Sequence, residues 1–113
     1  MWLYFDDAFV SVVTHREDAN VVLVRSRWKA HINKLFPKAV VKYLPKADYP
    51  YRAEILKKDF SAMLARKTEE MLYTNFKYAL KEKSPDLYEA ALLVYEDTLW
   101  GREIHGWLGN PNV

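Results

Sequence analysis

The sequence predicts an α+β fold: a mainly antiparallel sheet of four or five strands with helices packed on one face, ferredoxin-like or a related split sandwich. Three observations predict it. Two β-branched runs, "AFVSVVTH" and "NVVLVR", lie early in the chain around the short polar segment "REDA". The period then switches to a helical one in "SRWKAHINKLFP", and two more strand-like runs precede two further helical segments. The order reads β-β-β-α-β-β-α-α without repeat or linker, so residues 1–113 form a single domain with an irregular tail from about residue 101.

Each element has its own signal. "MWLYF" reads as a strand turned by Asp6-Asp7 into "AFVSVVTH", where Phe9, Ser11 and Val13 share one face and Val10, Val12 and Thr14 the other. "NVVLVR" returns as the second arm of a hairpin. Trp28, Ile32, Leu35 and Phe36 follow amphipathic helical spacing, with Ser26 as expected N-cap and Pro37 at the end. "KAVVKYL" and "YRAEIL" read as strands joined by the proline-flanked loop "PKADYP". The next helix is expected to start at Asp59, carry Phe60, Met63, Leu64, Met71 and Leu72 on its apolar side, and bend or break near Thr74-Asn75. "SPDLYEAALLVYEDTLWG" is the clearest helix, with Ser84 as N-cap, Pro85 at the first helical position and Asp86 in the first turn.

Composition narrows the function classes. Half of the residues are hydrophobic and the net charge is only +2, which excludes a disordered chain. Cysteine is absent, removing disulfides, thiolate nucleophiles and cysteine-based zinc sites. The N-terminus has no basic segment of a signal peptide, and no apolar run approaches membrane-spanning length, so a cytoplasmic protein without a membrane partner is expected. The three histidines are scattered and all three glycines follow Trp100, leaving no metal-binding helix motif and no phosphate loop. No catalytic residue, metal ligand or cofactor is assigned.

Charge is segregated along the chain. Residues 25–67 hold twelve Lys/Arg against three acids, a balance of +9 between ends of −3 and −4. The densest stretch is "VRSRWK", where two cations fall at the expected helix start and oppose its dipole by about 0.3–1 kcal/mol each. A bound anion would reverse that sign. The leading expectation is a non-catalytic module that binds a nucleotide or a nucleic-acid backbone through Arg25, Ser26, Arg27, Lys29, Lys42, Tyr49 and Arg52. Aromatic residues make up 15% of the chain, and Trp2, Trp100 and Trp107, near its ends, are candidates for a homodimer or partner interface.

The segments "MWLYFDDAFVSVV", "VLVRSR", "ADYPYRAEI" and "YTNFK" resemble a family of small bacterial and phage proteins of about 110 residues, over much of the chain up to Lys77. The resemblance carries over no activity and no site residues. It implies an alternative: a protein-interaction module, as a phage or mobile-element factor that inhibits a host defence complex. A second alternative is a metal-dependent phosphodiesterase-like enzyme, for which Asp6, Asp7 and His15 are the available ligands.

Overall fold

The computed structural model describes residues 1–95. The chain runs through β1 (Trp2–Tyr4), β2 (Phe9–Thr14), β3 (Val21–Ser26), α1 (Lys29–Leu35), β4 (Lys42–Tyr43), β5 (Tyr51–Leu56), α2 (Lys57–Glu69), α3 (Phe76–Lys83) and α4 (Pro85–Tyr95). The five strands form one sheet in the order β1-β2-β3-β5-β4, with every neighbouring pair antiparallel. This is the expected α+β class. Because β5 inserts between β3 and β4, the β3-α1-β4 passage is a split crossover.

Strand alternation builds the core. Val10 and Val12, Val22 and Val24, and Ala53 and Ile55 point to one face, where Ile32 and Leu35 of α1 and Phe60 and Met63 of α2 cover them. Fully burying side chains of this size contributes about 1.5–3 kcal/mol each. Two helices, α1 and α2, thus cover this face. The α3–α4 pair adds a second, smaller cluster: Leu80 and Leu87 close over Phe9, with Tyr4, Tyr49, Phe76, Tyr88 and Ala91 around them. Phe9 is one residue out of phase with Val10, so this cluster sits at one end of the opposite sheet face.

The turns use side chains where glycine is missing. His15 Nδ1 accepts the N–H groups of Glu17 and Asp18, and Asp18 Oδ1 accepts that of Asn20, closing the β2–β3 hairpin. At the β1–β2 turn, Asp7 binds Lys67 of α2 at 3.1 Å and Asp6 binds Lys83 of α3 at 2.7 Å. The two acids therefore fasten both helices to the sheet.

Several local expectations are corrected. Ser26 ends β3 and is not the cap of α1; the helix begins at Lys29 behind Trp28, which makes no side-chain cap bond. The strand expected over "KAVVKYL" shrinks to Lys42–Tyr43, because Ala39 and Val41 turn inward to pack on the core instead of following β5. Asp59 lies in the first turn of α2, whose N-cap is Leu56. Met71 and Leu72 fall beyond the end of α2 and are exposed. The chain breaks there, and Asn75 caps α3 by accepting the Tyr78 N–H at 3.0 Å. As expected, Pro85 opens α4 with Asp86 in its first turn; Ser84, just before it, accepts the Tyr88 N–H and also ends α3. The end of the last expected helix, the tail expected from about residue 101, and the interface candidates Trp100 and Trp107 lie outside the described residues.

Candidate functional site

Strand register, more than chain proximity, assembles the cations. Trp2 pairs with Ser11, Ser11 with Arg25, Arg25 with Arg52, and Arg52 with Lys42. One row across the outer sheet face therefore carries a tryptophan, a hydroxyl and three positive side chains. Arg25 and Arg52 are directly opposite like charges, an arrangement that costs about 0.2–1 kcal/mol. Among the described residues, neither they nor Arg27 and Lys42 pair with a carboxylate.

Tyr49 organises the arginines. The Arg25 guanidinium lies 5.1 Å and that of Arg27 5.8 Å from the centre of its ring. Arg52 Nε donates to the Tyr49 carbonyl at 3.2 Å. The ring also leans on Phe9, 6.4 Å between centroids, so the loop 47–50 is tied to the sheet end. Arg25 Nη2 donates to Ser11 Oγ at 2.7 Å, whereas its buried Nε has no hydrogen-bond partner in the structure. Trp2, 59% exposed, closes the row at the β1 edge and meets Phe9 edge-on.

Not every expected residue joins this row. Lys29 is the exposed first residue of a seven-residue helix and lies off the sheet face. Ser26 is fully buried: its hydroxyl donates to the Phe9 carbonyl and accepts the Trp28 N–H, both at 3.1 Å. The β2–β3 ladder ends at Ser11–Arg25, leaving the Phe9 main chain without a strand partner on that side. Ser26 serves its carbonyl, and His31 Nδ1 accepts its N–H at 3.1 Å. Both are structural substitutes for a missing strand. The sequence reading missed Ser11 and His31 in these roles; strand parity places Ser11 and Arg25 on one face, but only register makes them neighbours.

His31 has a measurable consequence. Burial pushes its imidazole below the ordinary histidine range, and the Lys34 ammonium acts in the same direction while Asp7 opposes it. The unfolded chain therefore binds this proton more readily than the folded one. Stability from His31 is complete above the ordinary value of about 6.5 and is lost as pH falls from there through the folded pKa. Urea midpoints measured down a pH series should show that decline, and His31→Gln should remove this component of it.

The acids and histidine available for a metal do not meet. Asp7 and His15 lie beyond opposite ends of β2, whose six residues span roughly 20 Å at about 3.4 Å per residue, and His15 Nε2 is engaged with Glu54 Oε1 at 3.0 Å. Among the described residues no group of three His, Asp or Glu side chains could hold a metal ion. No helix there is long and apolar enough to cross a membrane. No protein-family model, curated protein or solved structure matches this chain.

Proposed function

We propose that the chain is a non-catalytic module that binds a phosphate-bearing ligand, a nucleotide or a nucleic-acid backbone, on the outer face of its sheet. The observation that carries this reading is the Arg25–Arg52–Lys42 row, in which like charges face each other without a carboxylate between them. A bound phosphate would turn that repulsion into attraction, and the arginine fork suits its oxygens in a bidentate manner. Adjacent strands lie about 4.8 Å apart, so three of them spread the cations over about 10 Å of the sheet face, with Lys42 exposed and the two arginines half-buried. That spread suits a backbone that crosses the strands, and Trp2 at the end of the same row offers a face on which a base would stack.

The test is fluorescence anisotropy with a labelled oligothymidylate, beside thymidine triphosphate as competitor. Binding should weaken with added salt with a log–log slope of about −2, since each neutralised phosphate of a single strand contributes about −0.7. Arg52→Gln should weaken binding and reduce that slope by about 0.7. In the ligand-free protein the same substitution removes a like-charge contact together with the Arg52 Nε bond to the Tyr49 carbonyl, so the thermal midpoint should change little. Absence of binding by either probe at low salt, or binding that ignores salt, would remove this reading.

A further inference from the structure

The far end of β5 offers a different kind of site. β4 covers β5 only at Tyr51 and Arg52, so the stretch from Ala53 to Leu56 has β3 on one side and no strand on the other. Two bonds fix the phase of its main chain. The Lys57 N–H reaches the Asn20 carbonyl beside β3, and the Pro50 carbonyl accepts the Leu44 N–H on the β4 side. Successive residues alternate in direction, so Glu54 and Leu56 turn their main-chain groups toward the open side. No hydrogen bond among the described residues uses the N–H and C=O of Glu54 or the N–H of Leu56. Such a free edge is a template for another strand.

The surroundings of this edge distinguish it from a bare one. An open cleft of about 1150 Å³ runs along it, lined from both sheet faces. On the helix side it meets Leu35, Phe36 and Met63; on the outer side it meets Arg16, Lys42 and Arg52. Hollows on both faces of one edge match the alternating side chains of an added strand. The hollow on the helix side is mainly apolar, and the outer one sets Arg16, Lys42 and Arg52 beside Glu54. Across the whole lining, five Lys/Arg stand against three carboxylates (Glu17, Glu54 and Asp59).

We propose that the free edge of β5 binds an extended acidic peptide by strand addition. Its main chain pairs with Glu54 and Leu56, its apolar side chains enter the hollow at Leu35, Phe36 and Met63, and its carboxylates face Arg16, Lys42 and Arg52. This goes beyond the phosphate reading, because the main chain of β5 supplies the recognition.

Leu56 allows a clean test. Its φ of −60° and ψ of 140° are those of proline, so Leu56→Pro deletes the free donor without bending the chain. Leu56→Ala removes the side chain and keeps the donor. The probe is a labelled peptide of roughly eight residues that alternates valine with glutamate, compared by anisotropy with one alternating valine with lysine. The acidic peptide should bind, the basic one at least about tenfold more weakly; Leu56→Pro should cost about tenfold or more and Leu56→Ala less than about threefold. On the wild-type protein, the Glu54 and Leu56 amides should gain protection from hydrogen exchange when the acidic peptide is added. Arg25→Gln should leave peptide binding intact, and Leu56→Pro should leave oligothymidylate binding intact, which tells the two modes of binding apart although both use Lys42 and Arg52. The proposal is overturned if neither peptide binds, if both bind equally, if Leu56→Pro binds as the wild type does, or if the two amides stay unprotected. A concentration-dependent dimer abolished by Leu56→Pro would assign the edge to a second copy and overturn it equally.

Discussion

Phe9→Ala should lower the unfolding free energy by about 3–5 kcal/mol, the range for deleting a buried aromatic side chain. Phe9 is 7% exposed, stacks on Tyr4 at 4.2 Å between centroids, and is the sheet residue over which Leu80 and Leu87 close. The larger core on the other face contains none of these groups. The loss should therefore be local in form as well as large. In native-state hydrogen exchange, amides of α3 and α4 should open at much lower free energy, while those of β3 and β5 keep their order of protection. Denaturant melts give the magnitude; a change below about 1 kcal/mol would mean that α3–α4 is held mainly by the Lys83 contact to Asp6 in the β1–β2 turn. Because Tyr49 also leans on Phe9, the same variant should loosen the arginine cluster and weaken oligothymidylate binding.

Ser26→Ala should cost about 2–6 kcal/mol, because it strips partners from two main-chain groups at about 1–3 kcal/mol each. One is the Phe9 carbonyl and the other the Trp28 N–H. An exposed helix cap replaced by alanine typically loses only about 1 kcal/mol. The two readings of Ser26, anion-binding cap and buried strand-end clamp, thus predict different numbers. Urea melts decide between them, and Ser26→Thr, which keeps the hydroxyl, should recover much of the loss. Binding measured well below the melting transition should change little, since Ser26 lies on the face opposite Arg25.

The charge anomaly in "VRSRWK" was visible in the sequence, yet its physical origin lay elsewhere. At the helix start, only Lys29 falls in the first turn. The unfavourable contact is across strands, between Arg25 and Arg52, residues far apart in the chain. Sequence periodicity put Arg25 on one face of its strand and Arg52 on one face of another. Nothing in either segment said that these faces coincide or that the two residues stand opposite. Ser11 was legible as a polar residue beside Phe9 and Val13, but not as the acceptor that holds Arg25 at 2.7 Å.

What the sequence by itself determined was the class of the fold, the order of its elements as far as α2 and the segment that supplies the cations. Hydrophobic period, caps and prolines are local signals, and local signals suffice to place "FVSVV" in a strand or Pro85 at a helix start. Tertiary structure alone decided the strand order, the register that lines up Trp2, Ser11, Arg25, Arg52 and Lys42, and the short β4 that leaves β5 open from Ala53 to Leu56. The physical reason is that pairing depends on which partner satisfies each main-chain group and which face finds a core. A shift of one residue would send every side chain of a strand to the other face. That choice is settled by Ile32, Leu35, Phe60 and Met63 covering one face of the sheet together, and it belongs to no single segment.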